Sequence, residues 1–178
     1  RVDTWKTSMR LRKGVDALKK KADSDCWSST DAKCDMGILL STGYESIVVK
    51  DPAAAREYFE KAAENGSTRA GTRLALYQLN GHAGKRDRCD ALVRLGVGMA
   101  QCEPLACRTL AVGYDEGKYG LIKDTKRAKK LWEQVAGVSE RLGTFPAFAE
   151  EARARLQELM PATLGLPPLR PSYFADDA

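Results

Sequence analysis

Histidine is almost missing from this chain: among its 178 residues, His82 is the only one. A Ser/His/Asp or Cys/His catalytic system would have to be built on it. Its surroundings, Asn80-Gly81-His82-Ala83-Gly84, read as a loop joining two helices, and no nucleophile elbow is present. None of the five cysteines forms a Cys-x-x-Cys pair, so with one histidine the ligand set of a zinc site is lacking. The Gly-rich loop has no Lys-Ser/Thr and follows no strand, which excludes a phosphate-binding loop. No apolar run approaches the length needed to cross a membrane. Carboxylates are plentiful but spread over helix faces, and nothing singles out a hydrolytic pair. These gaps leave no catalytic residue, no cofactor and no metal to assign.

What the chain does contain is a repeat. Ala32, Met36, Gly37, Leu40 and Gly43 recur as Ala70, Leu74, Ala75, Gln78 and Gly81, then as Ala106, Leu110, Ala111, Tyr114 and Gly117, with shifts of 38 and 36 residues. After each glycine come a loop and an aspartate: Asp51, Asp87 and Asp124. Four residues later stands an alanine (Ala55, Ala91, Ala128), then bulky positions (Tyr58-Phe59, Arg94-Leu95, Leu131-Trp132), then small or apolar ones (Ala62-Ala63, Gly98-Met99, Val135-Ala136). This spacing traces one stripe of an α-helix. Each aspartate is placed to cap a helix, best at Asp51-Pro52, where proline suits the first helical position. Gly43, Gly66, Gly81 and Gly117 stand where helices should stop. Alanine and glycine at fixed places let helix backbones approach closely. One helix pair cannot bury such a stripe alone, so the pairs must stack.

The layout resembles the Sel-one-like repeat, a relative of the tetratricopeptide repeat. Asp51 to Gly66 is its closest segment and Ala106 to Trp132 the next, whereas the middle unit departs at Arg94, Gly98 and Met99. The expected fold is therefore all-α: a right-handed solenoid of antiparallel helix pairs, about three units, with capping helices at both ends. The expected division is a basic N-terminal helix over 1–25, the repeats over 26–142, a closing helix over 143–160 and a Pro-rich tail over 161–178. The resemblance also bears on cysteine. Its secreted cysteine-rich members carry a bridge at the corner between units, with the spacing of Cys26 and Cys34. It thus implies disulfides Cys26–Cys34 and Cys102–Cys107, with Cys89 left as a free thiol. Disulfides imply an oxidising compartment. Buried reduced thiols are the alternative, since cysteine also packs as a small apolar residue.

Residues 1–21 hold eight Lys or Arg against two Asp, so the chain's net charge of +5 is concentrated there and the remainder carries −1. That helix is expected to dock on something acidic or to present a solvated face; no aromatic interleaving or nucleic-acid motif accompanies its charge. Its apolar side is expected from Trp5, Met9, Leu11, Val15 and Leu18. The tail offers Tyr173 and Phe174 as anchors, either for a partner or for a strap packing back on the solenoid. On the first helices, which usually line the concave side, the outward candidates for partner binding are Arg69, Arg73, Tyr77 and Arg108, residue types common at interface hot spots.

The expected function is a non-catalytic protein–protein interaction module whose partner is another protein. Family members act as adaptors, as periplasmic regulators and as proteins that neutralise secreted toxins. The sharpest form of the expectation is an immunity protein against an interbacterial type VI secretion effector, such as a lipase. An envelope adaptor is the alternative, and a cell-wall hydrolase the remote one. Opening on Arg1 rather than Met, the chain is expected to be a processed or a trimmed form, of a protein that is periplasmic or secreted.

Overall fold

The structure, a computed structural model, describes residues 3–159 apart from 25, 45–46, 83, 85 and 143–145, with only the helical backbone for 3–6 and 139–142. Eight α-helices follow one another among the described residues: α1 (Asp3–Ala22), α2 (Thr30–Thr42), α3 (Pro52–Glu64), α4 (Thr68–Asn80), α5 (Arg88–Ala100), α6 (Pro104–Glu116), α7 (Thr125–Leu142) and α8 (Pro146–Leu159). The fold is an all-α solenoid of helix pairs. α2 pairs with α3, α4 with α5 and α6 with α7, and each pair packs through its second helix on the next first helix.

The repeated residues do what their spacing requires. Asp51 accepts from the backbone N–H of Ala53 and Ala54 at 3.0 Å, Asp87 from Asp90 at 3.1 Å, and Asp124 from Arg127 at 3.0 Å. The first helices α4 and α6 have caps as well: Ser67 accepts from Ala70, and Glu103 from Ala106 at 2.6 Å, just before Pro104. Gly81 and Gly117 end these helices at φ 71°, in the left-handed region that favours glycine.

The first alanine of each helix in the repeat (Ala32, Ala55, Ala70, Ala91, Ala106 and Ala128) is fully or nearly fully buried, and large residues fill the space beside them: Phe59 between Ala55 and Ala62, Leu95 beside Ala91, and Trp132 beside Ala128. Burying one such side chain is worth about 1.5–3 kcal/mol. In the first two units the second residue of the bulky pair carries the core, and in the third both Leu131 and Trp132 do. Tyr58 instead donates to Asp23 at 2.5 Å, and Arg94 lies along the surface bonded to Asp90 at 2.7 Å. The irregular middle unit therefore keeps its core residue at Leu95 while Arg94 stays outside the core. Gly98 has its own reason: an added Cβ would stand 2.6 Å from the Cβ of Ala106 and 2.9 Å from Thr72 Oγ1, so α4, α5 and α6 meet there too closely for a side chain.

α1 corrects one expectation. Ala22 is fully buried against Ala32 and Met36, and Leu18 packs on the same cluster. Leu11 and Met9, expected on the same apolar side, are 36% and 48% exposed. The reason is length: α1 has 20 residues and α2 has 13, about 30 Å against about 20 Å, so the first part of α1 runs past the end of α2; the side chain of Trp5 lies outside the described residues. In position, α1 packs on α2 as a second helix does on the next first helix.

Neither expected cysteine pair is joined in the structure: Cys34 and Cys107 are buried, and Cys26, Cys89 and Cys102 are exposed. In each pair one member lies on the buried side of a first helix and the other faces outward on the corner. Other groups close those corners. Lys33, buried, donates through Nζ to the Ser24 carbonyl at 2.7 Å and to Ser29 Oγ, while Ser29 Oγ reaches the Cys26 carbonyl at 2.6 Å. Cys26 Sγ rests 3.0 Å from Ser28 Oγ. At the other corner Glu103 N–H bonds the Gly98 carbonyl and Cys102 N–H the Met99 carbonyl, both at 2.9 Å. Cys102 there has φ 56° and is exposed.

Candidate functional site

The first helices α2, α4 and α6, with α8 following in the same alternation, form one face of the solenoid. Side chains bridge neighbours across it. Arg69 Nη1 on α4 meets Asp35 Oδ1 on α2 at 2.9 Å. Arg108 on α6 holds Glu151 on α8 in a bidentate grip, Nε to Oε2 at 2.5 Å and Nη2 to Oε1 at 2.8 Å, with its guanidinium 5.3 Å from the centre of the Phe148 ring. Arg155 on α8 reaches back to Asp115 on α6 at 3.1 Å and pairs with Glu158 on its own helix at 2.7 Å.

Of the residues expected to bind a partner, Arg69, Arg73 and Tyr77 fall on one row of α4, a turn apart, and Arg108 lies one unit on. Their chemical states differ. Arg108 is already committed to Glu151 and Phe148 and clamps α8 to α6. Arg69 is about half exposed, and its surface pair with Asp35 is worth at most about 1 kcal/mol. Tyr77 is held by edge-on rings on two sides, Phe59 at 5.6 Å and His82 at 5.7 Å. Burial pushes its hydroxyl pKa up, with the Ser41 hydroxyl pulling the other way.

Arg73 is the exception among the arginines of this face. Its Nε is buried and has no hydrogen-bond partner, and no ion pair forms at its guanidinium among the described residues. Burial lowers its pKa, since desolvation disfavours the charged form. Glu103 is the nearest felt carboxylate, but it is turned to the backbone N–H of Ala106, and burial pushes its own pKa up. Tyr173 and Phe174 lie outside the described residues.

Sequence reasoning missed the acidic counterparts Asp35, Glu103 and Glu151. The repeat held a signal for the first of them. Asp35 stands three after the frame residue Ala32, and Arg69 one before Ala70, so the two share the border between adjacent first helices. His82, exposed in its loop, packs its ring on Tyr77, and no group of three or more His, Cys, Asp or Glu placed to hold a metal occurs among the described residues.

A stack of helix pairs with small residues at every close approach, and with its polar chemistry spread along one face of first helices, defines the class of α-solenoid repeat proteins, which are interaction scaffolds. Residues 30–67 and 104–136 match the Sel1 repeat model, so the chain carries Sel1 repeats. No curated protein matches the chain. Among solved structures it is similar to a Sel1 repeat protein from Oxalobacter formigenes, with 20% identity and a TM-score of 0.55 over 72% of this chain and 48% of that one. It is also similar to c5321, a protective antigen present in uropathogenic Escherichia coli strains displaying an SLR fold, with 25% identity and a TM-score of 0.58 over 81% of this chain and 33% of that one. The chain thus spans about half the length of the first and a third of the second.

Proposed function

We propose that this chain is a non-catalytic binding module whose first-helix face, centred on α4, takes one protein partner. The row Arg69, Arg73 and Tyr77 carries this reading. It sets two cations and a rigidly held aromatic, residue types that dominate interface energies, a turn apart on a helix without an acidic residue. The test is capture of a partner with the intact chain, followed by hydrogen exchange on the complex. A specific partner should bury about 1,200 Å² or more and slow exchange in α2, α4 and α6. Protection confined to α1, or to the second helices, would refute the choice of face.

Within this reading the sharper proposal is an immunity protein, periplasmic or secreted, that neutralises an interbacterial effector. Its support is the resemblance to repeat proteins that do so. The likeness to a protective antigen present in uropathogenic Escherichia coli supports an envelope or secreted location. The disulfide argument for an oxidising compartment gains no support from the corners, where neither cysteine pair is joined. One-to-one nanomolar binding to a toxin, with rescue of cells expressing it, supports immunity; micromolar binding to several envelope proteins supports the adaptor instead.

A further inference from the structure

The repeat register explains why Arg73 is alone. The border between α2 and α4 is closed by the residue three after one frame alanine (Asp35) and the residue one before the next (Arg69). One unit later the same two places are held by Arg73, three after Ala70, and Leu105, one before Ala106. A cation has replaced the anion, and a leucine has replaced the cation. The border between α6 and α8 is closed again, by Arg108 and Glu151. Ion pairs thus bridge the face at both ends and leave the middle open. There a half-buried guanidinium with a buried, unbonded Nε lies in the row with Arg69 and Tyr77.

We infer that the open middle border is a carboxylate-binding subsite, in which Arg73 receives an Asp or Glu side chain presented by the protein partner next to an apolar residue. This rests on the proposed binding role of the same face and specifies its chemistry. Three observations select an acidic partner. α4 carries Arg69 and Arg73 and no acidic residue. Glu103, the carboxylate whose charge Arg73 feels, accepts from the backbone N–H of Ala106 and forms no ion pair with Arg73. Leu105, half-buried, occupies the place of a charge and favours an apolar neighbour for the incoming carboxylate. A guanidinium fork matches a carboxylate in two hydrogen bonds, which lysine cannot reproduce.

The experiment follows the arginine Nε–H signals of the intact chain by nitrogen-15 NMR while the blocked peptide Asp-Leu-Asp-Leu-Asp is added, with Asn-Leu-Asn-Leu-Asn as the uncharged control. The Arg73 signal should shift saturably and further than those of Arg69 and Arg108, with no response to the control. Arg73→Gln should weaken peptide binding by about tenfold to a hundredfold, and Arg73→Lys by an intermediate factor, while Arg69→Gln weakens it less. Both Arg73 variants should keep the helical spectrum of the parent, and Arg73→Lys serves if Arg73→Gln does not fold. Parallel small shifts of every arginine, or full binding by the Arg73 variants, would overturn the subsite. So would an Arg73 signal displaced in the absence of peptide by D176N/D177N, because the chain's own tail would then supply the anion. Capture of a natural partner by Arg73→Gln at undiminished affinity would sink the subsite while leaving the interaction role intact. Failure of the parent chain to capture any partner, with the peptide titration intact, would count against that role alone.

Discussion

Two glycines in α5, two residues apart, should respond oppositely to the same substitution. At Gly96 an added Cβ has nothing within 4 Å, whereas at Gly98 it would stand 2.6 Å from Ala106 Cβ and 2.9 Å from Thr72 Oγ1. Alanine is better than glycine inside a helix by about 0.8–1.0 kcal/mol, and this gain is available at both positions. Gly96→Ala should therefore raise stability by close to that amount. At Gly98 the gain is opposed by overpacking, which costs about 1–3 kcal/mol when the neighbours cannot yield. Here the obstacles are an alanine Cβ and a threonine hydroxyl on two other helices. Neither is the far end of a flexible chain, so α5 must move from both α4 and α6. Gly98→Ala should then fall between neutral and about 2 kcal/mol destabilised, and the two variants should differ by about 1–3 kcal/mol. For a chain of this size each kcal/mol displaces Tm by about 2–4 °C. Urea and thermal unfolding followed by helical circular dichroism would measure the difference. Gly98→Ala as stable as Gly96→Ala would show that the close approach at residue 98 is not real, and with it the explanation of the irregular middle unit. Gly37 offers a repeat of the test, since its Cβ would lie 2.7 Å from the fully buried ring of Phe59.

Titration of thiols under denaturing, non-reducing conditions should find all five, and fewer would mean that the corners are bridged after all. In the native protein, alkylation should begin at Cys26, whose pKa is lowered first by the Ser28 hydroxyl, and reach Cys107 last, where burial pushes the pKa up to about 11. Asp51→Ala removes a cap that receives two backbone N–H groups and should cost about 1 kcal/mol, read from the urea midpoint. Asp90 has its pKa held below 3.8 by hydrogen bonds from Gln78 first and then Arg94. Its contribution to stability is present above the ordinary Asp value and lost as pH falls through the lower folded value, so the deficit of Asp90→Asn should be full at neutral pH and close in strong acid.

The stacking of helix pairs was legible in the sequence because alanine and glycine are repeated where backbones touch, and those contacts recur once per unit. Asp51, Asp87 and Asp124 were legible as caps for the same reason: a cap is a local bond, made within three residues of the side chain that makes it. The state of the arginines was not. That Arg108 is taken and Arg73 is free depends on Glu151, 43 residues from Arg108, and on which residue stands across a border between units. The register that aligns those borders was present in the frame, but it becomes informative only once the bridge between Asp35 and Arg69 shows which two positions meet. The exposed part of α1 was hidden in a similar way. An apolar stripe tells which side of a helix is sticky, not how far its neighbour extends. For the cysteines, spacing alone cannot tell a thiol facing the core from one facing away.

α1 stands in the place of a second helix and α8 follows in the place of a first, so the repeat as written in the sequence and the repeat as packed in space are out of phase by half a unit. The molecule can therefore change its length without changing its ends. Duplicating any stretch from one point to its equivalent in the next unit, 36 to 38 residues on, would lengthen the face by one first helix while α1 and α8 keep their present neighbours. Because the open border is set by two positions within the unit, such a duplication could also copy it. The number of carboxylates the face accepts would then be written in the number of units that carry an arginine where others carry an aspartate.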